Sequence, residues 1–297
     1  MIDQILKMLK GAYAENTLRA YASDMRVFAD FIAPRETLLP ASPELIADYI
    51  AALAEQRKSY ATIKRHVATL SAMHRFGGFE DHTKAIVVKL ALRRAGRQIG
   101  TAQRQVAPIN RLLLDRMLAT CENSLIGARD KALLLLAYET ARRRSELVAF
   151  MVGDLIKNQG QITGIWLRKS KTDQFGNGKR LALSETAAQA IGAWVGQARL
   201  ESGPLLRAVK GHNIADSLTA GQIARIFKTR ATKAGADQTT ATEIGGHSLR
   251  VGKAQDMLLG GASLPQIMIS GGWQKPATAI RYCEKTQLKT HQSNNSR

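Results

Sequence analysis

Cysteine, aromatic residues and acid are scarce in this chain. Two cysteines among 297 residues, Cys121 and Cys283, cannot build a disulfide framework. With the six histidines they show no ligand spacing, so no structural zinc is expected. No apolar run approaches the roughly 20 residues that a membrane helix needs. The opening segment, MIDQILKMLKGAYAEN, lacks the continuous apolar block and small-residue cleavage site of a secretion signal. The expectation is a protein of a reducing cytoplasm with no membrane partner and no metal. Disorder is excluded as well, because 45% hydrophobic and 23% charged residues describe an ordinary globular chain. The length allows one large domain or two ordinary ones.

What is abundant is positive charge. Lys and Arg number 43 against 24 Asp and Glu, a formal net charge of +19. A chain this basic attracts polyanions, of which nucleic acid is the commonest. A basic protein that is merely soluble, or one that binds acidic lipid, would share the composition. The excess is uneven: residues 1–100 hold 15 basic and 10 acidic residues, leaving 28 and 14 for residues 101–297. Charge alone says nothing about chemistry.

Periodicity divides the chain. Leu18, Tyr21, Met25, Phe28 and Ile32 recur at three- and four-residue steps, one apolar helical stripe that Asn16 or Thr17 could cap. Ser42-Pro43-Glu44 is a helix start, followed by Leu45, Tyr49, Ile50 and Leu53. A third helix from about Ser59 to Arg75 buries Ile63, Val67, Leu70 and Met73. Its neighbouring cations Lys58, Lys64, Arg65 and Arg75 make either a solvated face or a set of phosphate contacts. Residues 92–108 carry Arg93, Arg94, Arg97, Arg104 and Pro108 among scattered apolar residues, which reads as a basic linker. The domains expected are 1–92, helical, and 109–297, joined by a linker at 93–108, with the boundary near residue 105. The second half reads as helical with one β excursion, QITGIWLRKS and KRLALS around KTDQFGNG, a hairpin.

Three signals in the second half bear on chemistry: Thr140–Leu147, containing Arg142, Arg143 and Arg144; Gly246–Gly252, containing His247 and Arg250; and Gly271-Gly272-Trp273, with Tyr282 nine positions on. Two arginines can grip a phosphate bidentately and neutralise its non-bridging oxygens, as a metal would. A tyrosine hydroxyl can serve as a covalent nucleophile. His247 and Arg250, three apart, share a face if helical. Singly, each has a plain structural reading: a basic helix end answering the dipole, a helix-start histidine, a packing tryptophan, a core or surface tyrosine.

Jointly, their order and spacing resemble the tyrosine recombinases, the phage-integrase family. Its signature is arginine in a Gly-Leu-Arg-x-Ser-Glu-Leu-like segment, a hairpin lysine, His-x-x-Arg, then His or Trp, then Tyr. Ser145-Glu146-Leu147 sets the register that makes Arg143 the first arginine. Glu146 falls where the family keeps a supporting acid. His247 and Arg250 match His-x-x-Arg, Trp273 stands where many members have His, and Tyr282 takes the nucleophile position. Lys171, in Lys171-Thr172, resembles the hairpin lysine, with Lys169 and Lys179 as competitors; Lys169 is also carried as a DNA-binding candidate beside Lys58, Lys64, Arg65 and Arg75. Ala141 and Arg142 depart from the usual Gly-Leu. Ala14–Gly77 resembles the helical core-binding domain that precedes this catalytic domain.

The resemblance implies a mainly α fold with a small β-hairpin or sheet: a helical core-binding domain and an α-rich catalytic domain closing as a C-shaped clamp on double-stranded DNA. It implies a site-specific recombinase acting as a homotetramer, a dimer of dimers, through a 3′-phosphotyrosyl link on Tyr282, without metal or cofactor. Arg143, Arg250 and Trp273 would hold the phosphate, Lys171 would protonate the leaving oxygen, and His247, oriented with help from Glu146, would move the nucleophile's proton. It also implies a C-terminal helix passed to a neighbour, here expected to be a weak or short exchange element, since Leu288 is the one large apolar residue after Cys283. A prokaryotic cytoplasm, plasmid- or phage-borne and nucleoid-associated, is the expected setting. Two other readings stay open: relaxation of DNA in the manner of type IB topoisomerases, and sequence-specific DNA binding without turnover.

Overall fold

The N-terminal helices form where the sequence supplies caps and one apolar face each. In the computed structural model they are α1 (Ile2–Met8), α2 (Glu15–Ile32), α3 (Pro43–Glu55), α4 (Tyr60–Phe76) and α5 (Ile86–Ile99). The structure describes residues 1–33, 38–102, 105–170 and 176–294, with backbone alone for residue 285 and residues 287–294. Ser42 and Ser59 cap α3 and α4 by accepting from Leu45 N–H and Thr62 N–H, both at 3.2 Å. Asn16 and Thr17 do not cap α2, which starts at Glu15 after Ala14; Asn16 Oδ1 instead accepts from Arg19 at 2.7 Å. Met25, Phe28 and Ile32 meet Ile46, Tyr49, Ile50, Ile63 and Met73 in one apolar core.

Helix α5 corrects the reading of residues 93–99 as linker. Val88, Ala91 and Ala95 are buried at helical spacing, while Lys89, Arg93, Arg94 and Arg97 occupy the exposed side. A run of arginines that looks aperiodic is the solvated face of an amphipathic helix whose buried residues are mostly too small to mark it. By contact, the chain separates into two compact units, Met1–Arg104 and Gln105–Arg297.

The second unit contains helices α6 (Arg111–Ala119), α7 (Leu125–Thr140), α8 (Arg144–Leu147), α9 (Glu185–Gln197), α10 (Ala220–Lys233), α11 (Gln238–Glu243), α12 (Ser248–Leu259), α13 (Leu264–Gly271) and α14 (Pro276–Asn294). The predicted hairpin forms between β2 (Gln161–Leu167) and β3 (Lys179–Ala182), with Ile165 opposite Leu181. The sheet has a further strand, β1 (Leu155–Asn158), antiparallel to β2. Four residues with two apolar side chains give too short a pattern to announce a strand. A second ladder pairs β4 (Val209–Lys210) with β5 (Asn213–Ile214).

Helix α7 runs through the core, with Leu133, Leu134 and Leu136 fully enclosed beside Phe150, Trp194 and Phe227. An apolar surface on every side marks a helix surrounded by others. Asp130 on α7 accepts from Arg129 Nε at 2.6 Å and Arg230 Nε at 2.7 Å, an ion triad that ties α7 to α10. Helix α14 extends the tail as helix through Asn294, there being no Gly or Pro after Pro276 to end it. Among the described residues, no helix is long and apolar enough to cross a membrane.

Candidate active site

The site is built at the C-terminal end of α7. Ala141 follows Thr140 with φ 48° and ψ 35°, the left-handed conformation that terminates a helix and that glycine adopts more easily. This is the position where the resemblance has Gly. Ala141 takes the same conformation, so the departure alters cost rather than geometry. Two guanidiniums then cover the buried C-terminal end of α7: Arg142 Nε donates to Thr140 O at 2.6 Å, and Arg250 Nη1 donates to Ala141 O at 2.7 Å. The carbonyls of a helix C-terminus lack intrahelical partners and carry partial negative charge, so they suit cations.

Arg143 is extended (φ −70°, ψ 150°) and immediately precedes α8. Glu146 returns its carboxylate to it as in a capping box: Oε2 accepts from Arg143 N–H at 3.0 Å and Oε1 from Nη1 at 2.7 Å. Burial works to raise the Glu146 pKa, but the bonds from Arg143 and the charges of Arg143 and Arg142 outweigh it and hold the carboxyl below its usual range.

His247 stands immediately before α12 with φ −110° and makes no side-chain capping bond, and Arg250 follows within the first turn, 2% exposed. Close approach of α12 to the chain at residue 109 requires Gly252, since a Cβ there would meet Ile109 O at 1.8 Å. Burial, then the charges of Arg143 and Arg142, push the Arg250 pKa down to about 10; Tyr282 and Glu146 act the other way. His247 is pushed down by burial and by Arg250, Arg144 and Arg143, against Glu146.

Trp273 and Tyr282 come from the α13–α14 corner. Trp273 is 6% exposed and packs with Ala254, Ile267, Ala279 and Cys283. The Arg250 guanidinium lies 4.5 Å from the Trp273 ring centroid, a cation–π contact. Tyr282 meets the same ring edge-on at 5.4 Å and 65°. Gln255 of α12 donates to Tyr282 O at 3.0 Å, joining α14 to the helix that bears Arg250. Among the described residues, His247 Nδ1 and Trp273 Nε1 are buried side-chain nitrogens with no hydrogen-bond partner. A buried polar atom left so costs free energy until a ligand satisfies it.

Arg143, Glu146, His247, Arg250, Trp273 and Tyr282 are therefore gathered in one unit. Lys171 lies outside the described residues. Of its competitors, Lys169 is exposed, and Lys179 donates to Ile269 O at 3.1 Å on α13. Lys58, Lys64, Arg65 and Arg75 are exposed in the other unit. Arg65 is not free: it pairs at 2.5 Å with buried Asp24, which also accepts from Thr69 at 2.8 Å. Sequence reasoning missed the engagement of Arg142 and Gln255, which depends on backbone carbonyls from distant segments. The arginine triplet was the one signal for Arg142.

The chain matches the description "Phage integrase family" over residues 112–289 and "Phage integrase, N-terminal SAM-like domain" over residues 2–77. It is 36% identical over 265 residues to an integrase/recombinase xerD homolog of Selenomonas ruminantium, covering 84% of this chain and 75% of that one. It is 27% identical over 297 residues to the recombinase cre of Escherichia phage P1, covering 94% and 87%. Among solved structures, it superposes on XerH site-specific recombinase bound to its palindromic difH substrate with a TM-score of 0.68, at 15% identity, over 93% of this chain and 78% of that one. With family matches in both halves, and a mainly helical fold holding the predicted residues in one unit, the chain belongs to the phage integrase family of tyrosine recombinases.

Proposed function

We propose that this protein is a site-specific DNA recombinase that cuts and rejoins strands by transesterification. The observation that carries the reading is the joint placement of two guanidiniums, Arg143 and Arg250, with Tyr282 and two buried nitrogens that lack partners, His247 Nδ1 and Trp273 Nε1. A phosphodiester would supply the anion and the acceptors this cluster lacks. Excess buried positive charge is tolerated where a ligand neutralises it.

In this mechanism Tyr282 Oη attacks the scissile phosphorus, and the bond from phosphorus to the 5′-oxygen breaks. The phenolic proton passes to His247, which is neutral near pH 7 because its pKa is lowered. Lys171 gives its proton to the leaving 5′-oxygen. Arg143, Arg250 and the Trp273 indole N–H hold the non-bridging oxygens as charge develops. The resulting 3′-phosphotyrosyl ester keeps the energy of the phosphodiester, so a 5′-hydroxyl from a partner strand reverses the step. Exchange between two duplexes requires four nucleophiles, hence four copies of the chain on DNA. The N-terminal unit contributes cations for duplex binding, Lys58, Lys64 and Arg75 among them. The setting proposed is the cytoplasm.

The test is a nicked duplex carrying the site that wild-type protein selects from randomised DNA. Mass spectrometry of trapped complexes should find nucleotide on the peptide containing Tyr282. Tyr282→Phe should abolish the adduct while leaving affinity nearly unchanged, since one hydroxyl adds little to a phosphate-dominated interface. Adduct persisting in that variant would move the nucleophile elsewhere, and relaxation of a supercoiled plasmid without target sites would favour topoisomerase action.

A further inference from the structure

Arg142 stands where the family pattern has leucine, yet it is 3% exposed. A long cation in an apolar slot is costly unless its donors are answered. Here backbone carbonyls answer them. Nε donates to Thr140 O at 2.6 Å, and Nη2 donates to Ser270 O, 128 residues further along the chain. Thr140 is the last residue of α7 and Ser270 lies in the last turn of α13, so one guanidinium joins two helix C-termini. Both ends favour positive charge, which gives a buried arginine electrostatic compensation from backbone dipoles.

The two joined segments carry the site. The residue after Arg142 is Arg143. Two residues beyond Ser270 is Gly272, in the left-handed region at φ 65°, and then Trp273. A Cβ at Gly272 would meet Arg142 Nη1 at 2.7 Å, so the Gly271–Trp273 turn lies directly against the guanidinium. On the other side, Ala141 O is already held by Arg250. The turn that presents Arg143 is thus pinned to α12 by Arg250 and to the Trp273 turn by Arg142.

We propose that Arg142 is a positioning residue, holding the Arg143 turn and the Trp273 turn at the separation where both reach one phosphate. The proposal rests on the recombinase reading above. A planar fork can span two carbonyls in a fixed geometry; a lysine can hold one firmly, and leucine none. A misplacement of about 1 Å in such a constellation costs about 100-fold in rate.

The experiment compares wild type, Arg142→Leu and Arg142→Lys on the nicked, selected duplex, at a temperature where circular dichroism finds each variant folded. Adduct formation is followed in single turnover, and the saturating rate is separated from the half-saturating DNA concentration. Arg142→Leu should lower the saturating rate about 100-fold and Arg142→Lys about 10-fold, with half-saturation nearly unchanged in both. Lysine would therefore recover part of the loss, which a purely packing role would not predict. A leucine variant that cleaves at the wild-type rate overturns the proposal, as does one whose rate and affinity fall together. Should the leucine variant fail to fold, a lysine variant at the wild-type rate overturns it. Wild-type protein that binds its selected site without ever forming an adduct overturns the recombinase reading itself, and the positioning role with it.

Discussion

Glu146 grips Arg143 at both ends, one carboxylate oxygen on its backbone N–H at 3.0 Å and the other on its guanidinium at 2.7 Å. The carboxylate is 5% exposed and the guanidinium 21%, so the pair orients a cation that solvent still reaches. Its folded-state pKa lies below the ordinary glutamate value near 4.3. The stabilisation is therefore present above that value and is lost as pH falls through the depressed one. Glu146→Ala should cost about 1–3 kcal/mol at pH 7, and its difference from wild type should shrink in denaturant melts at acid pH. An unchanged difference at low pH would mean the ionised carboxylate is not what matters.

Neutral His247 should shape the pH profile of cleavage. Burial and the neighbouring arginines place its pKa below 6.5. The second-order rate constant for adduct formation, which reports the free enzyme, should hold as pH falls to about 6.5 and decline only below it. Folding stability should follow the same sign: the unfolded state binds the proton first, so stability falls as pH drops from 6.5 towards the depressed value. His247→Gln should lower the rate and remove this acid limb; a limb that persists belongs to another group.

The role given to Lys171 can be tested through the leaving group. Lys171→Ala should slow cleavage of an ordinary phosphodiester by about 100-fold or more. A substrate whose 5′-bridging oxygen is replaced by sulfur leaves as a thiolate without protonation, so it should be cleaved by the variant at nearly the wild-type rate. Lys179→Ala should not be rescued this way, because its ammonium is engaged with Ile269 O. Rescue of Lys169→Ala or Lys179→Ala instead would move the acid to that position.

Much of the fold was legible because its signals are local. Ser42-Pro43-Glu44 starts α3 as its chemistry dictates, and the β-prone runs on either side of KTDQFGNG mark β2 and β3. Where local signals were weak, the reading failed. The cations of α5 concealed a helix whose buried side is Val88, Ala91 and Ala95, and the two apolar residues of β1 were too few to count.

By itself, the sequence determined the order Arg143, His247, Arg250, Trp273, Tyr282, the identities of the groups, and the short-range geometry that ties them to their elements: His247 at the start of α12, a capping box between Arg143 and Glu146 three residues apart. Tertiary structure alone decided which cations are committed and which remain available. Arg65 is spoken for by Asp24, 41 residues away, and Arg142 by Ser270, while Arg143 stays partly open to solvent. The physical reason is range. Caps and periodicity act over one or two turns, whereas the partner of a buried cation is whichever carbonyl or carboxylate long-range packing brings beside it, and only when α7, α12 and α13 are packed together does that neighbour exist.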